Sequence, residues 1–289
     1  MIIVRLTGGL GNQMFQYAFG RRLAELHSTE LKLDVGFYSN AKLNVPIRTY
    51  DLDIFKIVEN IATDVEIDRF AKRFKNELVD RIVNRILGPK GSHVREPHFH
   101  FSQTVFDSPN NVYISGYWQS VKYFADIEQL IRKDFAFRDE PSENAKLMLK
   151  KIQLTNSVSV HVRRGDFVTN PLNGLHGVEY FAKAEQIIAD RVVDPTFFIF
   201  SDDIEWCKAN LKFNAPVEFA SDDFGERKFR DDLRLMSACQ HLIIANSSFS
   251  WWAAWLNANQ DKVVVAPKTW ATDPSIDKSE MYLPGWIRA

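Results

Sequence analysis

The chain has 289 residues, 45% of them hydrophobic, with 36 Lys and Arg against 37 Asp and Glu for a net charge of -1. That length suits one large domain or two of ordinary size, and the balanced charge excludes a global field that would favour nucleic acid or an anionic membrane. Two cysteines, Cys207 and Cys239, are too few for a disulfide framework and lack metal-ligand spacing, which points to a reducing compartment.

Residues 2–6 read as a buried strand, Thr7-Gly8-Gly9-Leu10-Gly11-Asn12-Gln13 as a tight loop and 14–26 as a helix, with Phe15, Phe19, Leu23 and Leu26 on one face. Residues 31–34 suggest a second strand. A β–loop–α–β opening is the usual start of a doubly wound domain. The apolar run at the N-terminus is too short for a signal peptide or membrane helix, so the chain is expected to be soluble and cytoplasmic, or peripheral at the inner face of the membrane. Residues 64–87 are helical in pattern with charge of both signs, a solvated face. Residues 88–97 read as a loop and 112–116 as a strand. The aromatic segment 117–124 then reads either as a platform for a sugar or as core. A polar stretch at 138–142, with Pro141, marks an expected boundary between domains 1–139 and 140–270, with 271–289 packing back on the first.

The second half repeats the alternation. Strands are expected at 158–162, 196–200, 241–245 and 262–266, and helices at 180–189, from 204 to 211, at 230–238 and at 249–257. Two α/β halves imply a cleft, with ligands at the carboxyl ends of the strands. The polar clusters of the chain fall at such ends.

The most informative of them is His161-Val162-Arg163-Arg164-Gly165-Asp166, directly after a β-branched strand. A guanidinium is permanently charged and its planar fork matches phosphate oxygens. A phosphate or diphosphate site is therefore one reading, and a structural Arg–Asp pair is the other. Asn246-Ser247-Ser248, between a strand and a helix, forms a second anion cradle or an ordinary Ser cap, since helix N-terminal amides carry partial positive charge. Asp202-Asp203 admits base or ribose recognition, metal ligation, or helix capping, with Glu205 at capping-box distance from Asp202. Gly9 and Gly11 fit a dinucleotide fingerprint, but Met14 stands where its third glycine belongs and Asp34 is the one suitably placed acid. Asn12 reads equally as a helix cap and as a ligand contact. His93, His98 and His100 lack the spacing of a zinc site and read as a surface loop.

Four of these segments, in this order, resemble the alpha-1,2-fucosyltransferases of glycosyltransferase family eleven. They are Gly8-Gly9-Leu10-Gly11-Asn12-Gln13-Met14-Phe15-Gln16-Tyr17, His161-Val162-Arg163-Arg164-Gly165-Asp166, Phe200-Ser201-Asp202-Asp203 and Asn246-Ser247-Ser248-Phe249-Ser250-Trp251-Trp252. The resemblance implies a GT-B architecture of two Rossmann-like domains facing a cleft. It implies inverting transfer of L-fucose from GDP-β-L-fucose to the 2-hydroxyl of a terminal galactoside in a bacterial surface glycan, with no metal and no other cofactor. The His-x-Arg-Arg motif is shared with other fucosyltransferases and speaks for the donor more than for the linkage.

Carried over by this resemblance, Arg163 contacts the diphosphate and stabilises its developing charge. His161, Arg164, Asn246, Ser247, Ser248, Phe249, Gly9 and Gly11 line the donor site. Asp202 recognises guanine and Asn12 lies beside the reacting atoms. Asp166 ranks first as general base, ahead of His176 and Glu179. Acceptor specificity is expected in N-domain loops such as 90–101, which carry no readable code.

Overall fold

The computed structural model describes residues 1–39, 48–70, 92–165, 168, 174–220, 228–273 and 277–289. The chain divides into two compact α/β units, Met1–Arg138 and Asp139–Ala289.

The first unit is built on strands β1 (Ile2–Arg5), β2 (Leu31–Asp34), β3 (His93–Arg95) and β4 (Val112–Ser115), in the order β2-β1-β4-β3 and all parallel. Ile2, Ile3 and Val4 are fully buried, as β-branched residues of a strand covered on both faces should be. Helix α1 (Leu10–Leu26) lies on this sheet. It can approach closely because Gly20 has no side chain: a Cβ there would stand 3.0 Å from Leu31 Cδ1 and 3.1 Å from Val4 Cβ. Helix α2 (Asp64–Asp68) opens on a capping box formed by Thr63 and Glu66. Helix α3 (Glu128–Asp134) closes the unit. The aromatic segment 117–124 is largely core: Trp118, Tyr123 and Phe124 are buried, and the Trp118 ring packs at a tilt against Phe19, 4.2 Å between centroids.

The second unit carries β5 (Asn156–Val162), β6 (Pro195–Ser201), β7 (Val217–Phe219), β8 (His241–Ile243), β9 (Val264–Ala266) and β10 (Ile287–Arg288). Their order is β10-β9-β8-β5-β6-β7, all parallel. Numbered within the unit, this is the 3-2-1-4-5-6 order of the Rossmann fold. Helices α4 (Glu143–Gln153), α5 (Val178–Ala189), α6 (Ile204–Asn210), α7 (Lys228–Ala238) and α8 (Ser248–Leu256) connect the strands. Val158, Val160 and Val162 of β5 join Phe181, Ile188, Phe197 and Ile199 in one core cluster. Ser159 and His161, alternating with them, point to the opposite face. Trp251 and Trp252 are fully buried, and the Trp251 indole donates to the Met281 carbonyl at 2.8 Å. Both cysteines are buried and unbridged.

The structure corrects several expectations. Helix α1 begins at Leu10 rather than at 14, so Gly11, Asn12 and Gln13 are helical despite the poor propensity of glycine. Tertiary ties outweigh that preference: Leu10 and Gln13 are buried, and the Gln13 side chain donates to the carbonyls of Gly8 and Thr49 and accepts from the Asp51 amide. The supposed loop at 88–97 contains β3, whose three residues show no period long enough to read. Helix α4 and strand β7 carried no sequence signal strong enough to be drawn. Of the helix expected at 64–87, only α2 and the turn at 69–70 fall within the described residues. Residues 277–289 belong to the second unit, where β10 pairs with β9. No helix among the described residues is long and apolar enough to cross a membrane.

Candidate functional site

A Rossmann sheet binds ligands outside the carboxyl ends of its strands, where the strand order reverses. In the second unit that point lies between β5 and β8, which pair directly. The loop after β5 carries Arg163 and Arg164. The loop after β8 carries Asn246, Ser247 and Ser248. The neighbouring strand β6 ends at Ser201 and delivers Asp202 and Asp203 to the same edge.

Two carboxylates and two guanidiniums meet there in a fixed pairing. Asp202 Oδ2 lies 2.7 Å from Arg163 Nη1, with both side chains about three-quarters buried, and its Oδ1 accepts from the Arg164 backbone amide at 2.8 Å. Asp203 Oδ2 accepts from Arg164 Nε at 3.0 Å. The Arg164 guanidinium also lies 3.9 Å over the Trp206 ring, a cation–π contact. A Cβ at Gly165 would stand 2.6 Å from Asp202 Oδ2, so any larger residue would push that carboxylate out of its pairing. The capping expectation for Asp202 is therefore wrong by one residue. Asp203 is the N-cap of α6 and accepts from the Trp206 amide at 3.2 Å, because Asp202 is already turned toward the arginine loop.

On the other side, Ser247 caps α8, its Oγ accepting from the Phe249 amide at 3.3 Å. Ser248 is the first residue of that helix. Asn246 does not point outward as a simple anion donor. It is buried, and its Nδ2 donates to the carbonyls of Gly174 and Trp270 at 3.2 and 3.1 Å, tying two other segments to the loop. His161 is 6% exposed and its ring packs 5.6 Å from Phe249. Burial lowers its pKa to about 3, helped by the nearby charges of Arg163 and Lys228, so the imidazole is neutral. Its Nδ1 has no hydrogen-bond partner among the described residues. A neutral imidazole with one uncommitted nitrogen, beside a guanidinium and a helix N-terminus, suits an oxyanion of a diphosphate.

Sequence reasoning missed Lys228 and Trp206. Lys228 opens α7, and its Nζ donates to the Ser201 carbonyl at 3.2 Å, adding a cation at the end of β6. Trp206 read as an ordinary helix residue, and only its place under Arg164 distinguishes it. Asp166 lies outside the described residues. His176 packs 5.0 Å from the Tyr180 ring, and burial lowers its pKa against the opposing influence of the Asn246 amide. Glu179 is exposed in the first turn of α5. Among the described residues no group of three or more His, Cys, Asp or Glu side chains could hold a metal ion.

In the first unit, Gly8 adopts φ +76° and Gly9 is the N-cap of α1. Gly11 lies in its first turn. Asn12 is not the cap. Its Oδ1 accepts from Gln119 Nε2 at 2.9 Å. Gln16, fully buried, bonds Thr7 and the Gly116 carbonyl and so ties the loop after β1 to the loop after β4. The dinucleotide reading loses its acid: Asp34 is buried, accepting from the Tyr113 hydroxyl at 2.7 Å and the Gly36 amide at 2.9 Å. His98 and His100 lie together, their ring centroids 5.4 Å apart, and His93 is engaged elsewhere. His93 lies in β3 against Ser115 Oγ, whereas His98 accepts from the His100 amide.

Comparison with known proteins agrees with this reading of the two units. The family model for Glycosyl transferase family 11 matches residues 1–289. An Escherichia coli alpha-1,2-colitosyltransferase is 33% identical over 100% of this chain and 98% of its own. The O-antigen biosynthesis glycosyltransferase WbnK of Escherichia coli is 31% identical, covering 98% of each chain. The mouse galactoside 2-alpha-L-fucosyltransferase Sec1 is 28% identical over 99% of this chain and 73% of its own. Among solved structures, a mutant of Arabidopsis thaliana FUT1 in complex with GDP superposes with a TM-score of 0.52 at 12% identity, over 95% of this chain and 72% of that one. The alpha-1,6-fucosyltransferase NodZ soaked with GDP-fucose gives 0.51 at 13% identity, over 88% and 91%. At these identities the structures speak for the fold, a GT-B-like pair of α/β units with parallel sheets.

Proposed function

The chain belongs to glycosyl transferase family 11, and from that premise we propose that it transfers L-fucose from GDP-β-L-fucose to the 2-hydroxyl of a terminal galactoside of a bacterial surface glycan, with inversion at the sugar. The observation that carries the donor half is the Rossmann switch point between β5 and β8, where Arg163 and the N-terminus of α8 stand at adjacent strand ends. The linkage and the glycan class are supported by the names of the relatives, which include alpha-1,2 transferases and an O-antigen enzyme.

In this reading the second unit holds the donor. Arg163, the α8 amides with Ser247 and Ser248, and the neutral His161 face the diphosphate, with Phe249 packed on His161. As the bond from the anomeric carbon to the phosphate oxygen breaks, the electron pair goes to departing GDP and negative charge accumulates there. A preorganised guanidinium is worth more to that state than to the bound donor. The acceptor hydroxyl attacks the anomeric carbon from the opposite face, and its proton passes to a base. Asp166 is the proposed base. His176, kept neutral by burial, is the alternative. Asn12 of the first unit is assigned to the reacting sugar. The charge of the diphosphate is balanced by protein cations and helix amides, so no metal is assigned.

One relative favours a second reading. The colitosyltransferase matches the whole chain at 33% identity, and colitose is the 3-deoxy analogue of fucose. The test is mass spectrometry of galactose-terminated oligosaccharides incubated with GDP-fucose or GDP-colitose, wild type beside Arg163→Ala. A fucosyl product linked at the 2-position by methylation analysis, absent with the variant, is the expected result. Product from GDP-colitose alone would replace the donor. Release of free sugar without an acceptor product would overturn the acceptor.

A further inference from the structure

The aromatic residues of the run 117–124 face inward except the first. Trp118, Tyr123 and Phe124 are at most 1% exposed, whereas Tyr117 is 41% exposed. One exposed ring is ordinary on a protein surface. What distinguishes Tyr117 is how firmly it is held and where. Its backbone amide and that of Trp118 both donate to the Glu96 carboxylate, at 2.6 and 2.9 Å. The Glu96 amide donates in turn to the Ser115 carbonyl at 2.9 Å. Glu96 is accommodated this closely because residue 116 is glycine: a Cβ there would stand 2.4 Å from Glu96 Cβ. Trp118, with its indole buried, has φ +56°, a left-handed backbone that a bulky residue rarely adopts. Strain of this kind persists where the surroundings over-determine it.

The clamp stands at the ligand-binding edge of the first sheet. β3 and β4 are adjacent parallel strands, with Arg95 opposite Ser115. Phe99 follows the carboxyl end of β3, and Tyr117 follows that of β4. Open α/β sheets bind their ligands beyond such ends. The Phe99 and Tyr117 rings lie nearly parallel, their planes 20° apart and their centroids at 6.5 Å, the spacing of an offset aromatic pair. This surface is carried wholly by the first unit. An aromatic face is electron-rich, and the partly positive C–H bonds of a pyranose pack against it. The axial 4-hydroxyl of a galactopyranose leaves its C–H bonds in one continuous patch on the opposite face. In a glucopyranose, where that hydroxyl is equatorial, the patch is interrupted.

We propose that Tyr117, presented by the Glu96 clamp, binds the acceptor glycan by stacking its ring on the apolar face of a galactose, with Phe99 extending the surface. The inference rests on the galactoside reading made above and names the residue that recognises that sugar. Tyr117→Phe keeps the ring face and serves as the conservative variant, whereas Tyr117→Ala removes it. Both leave the clamp in place, because Glu96 holds residue 117 by its backbone amide.

The experiment is steady-state kinetics on a galactose-terminated oligosaccharide, with whichever of GDP-fucose and GDP-colitose supports transfer, varying acceptor and donor separately. GDP affinity by calorimetry and thermal midpoints are recorded for every variant. Tyr117→Ala is expected to raise the acceptor KM by about three- to tenfold, the scale of one aromatic contact, with donor KM, GDP affinity and thermal midpoint unchanged. Tyr117→Phe should match wild type. If wild type glycosylates the galactoside and Tyr117→Ala leaves the acceptor KM unaltered, the stacking role is overturned and the proposed function stands. Equal losses in Tyr117→Phe and Tyr117→Ala would also overturn it, because the contact would then be the hydroxyl and not the ring face. So would a rise in donor KM in step with acceptor KM, the mark of a general disturbance. If wild type transfers sugar to no galactose-terminated acceptor, the galactoside reading itself fails and the inference falls with it.

Discussion

Asp202 Oδ2 holds Arg163 Nη1 at 2.7 Å, so an acidic side chain already stands where a donor phosphate oxygen is proposed to bind. A phosphate must displace that carboxylate or share the guanidinium with it. A partly exposed ion pair contributes about 0–1 kcal/mol, which a diphosphate can readily replace. Asp202→Asn keeps an acceptor for the Arg164 amide and removes the competing charge. It should tighten GDP binding by about two- to fivefold in calorimetry and leave the preference for GDP over IDP unaltered. Weaker binding with loss of that preference would return Asp202 to the guanine edge, the role expected from sequence.

Arg164 faces a different environment, and its removal should look different. Paired with Asp203 and stacked on Trp206, it shapes the loop that presents Arg163. Trp206→Phe preserves an aromatic face and should retain most activity. Trp206→Leu should raise the KM for donor several-fold, the scale of a cation–π contact of about 0.5–2 kcal/mol. Equal kinetics for the two variants would remove Trp206 from the site.

Which carboxylate takes which arginine was not legible in the sequence. Asp202 and Asp203 are adjacent and chemically identical, and only the backbone turn after Ser201 sends one to the β5 loop and the other to cap α6. The strand ends bearing the motifs were legible, because buried parallel strands such as β5 read as continuous apolar runs followed by abrupt polarity. The start of α1 was placed at 14, which left capping open as one of two readings of Asn12, because glycine-rich segments look like loops, whereas the buried side chains of Leu10 and Gln13 draw the helix back to Leu10. Gln119 gave no signal at all, since its bond to Asn12 joins residues 107 positions apart.

Chelation should leave turnover intact. If Arg163, Lys228 and the α8 amides neutralise the departing diphosphate, dialysis against EDTA changes kcat less than twofold on the scale where a lost charge stabiliser costs about a hundredfold. Loss of turnover restored by manganese would move Asp202 and Asp203 to metal ligation.

His161 makes the second unit sensitive to acid. Its pKa is about 3 in the folded protein and about 6.5 when unfolded, so the unfolded chain binds the extra proton between those values. Stability is therefore present above about pH 6.5 and lost as the pH falls toward 3, by roughly 1.4 kcal/mol per unit. Thermal midpoints recorded from pH 7 to pH 5 should fall more steeply for wild type than for His161→Asn. Parallel curves would mean that the buried imidazole is not what titrates.

Gly20→Ala sets two opposed effects against each other. Alanine favours a helix interior by about 1 kcal/mol over glycine. The added methyl, however, meets Leu31 and Val4 at 3.0–3.1 Å in a packed core, and such overpacking costs about 1–3 kcal/mol. Packing wins, so the variant should unfold at lower denaturant concentration with an unchanged m-value. A stabilised variant would show that α1 can shift on its sheet.

The neighbours β5 and β8 are consecutive in space but separated along the chain by two complete strand–helix excursions, through β6 and β7. Their pairing closes a long loop, which is slow to form and adds to contact order. A nascent or partly refolded second unit can own β5 with Arg163, or β6 with both aspartates, and still lack the opposite wall supplied by Ser247 and Ser248. If the donor binds there as proposed, nucleotide affinity reports on completed assembly of that unit rather than on any single segment. On that reading, a fragment ending before β8 should bind no GDP by calorimetry, whereas the whole chain does.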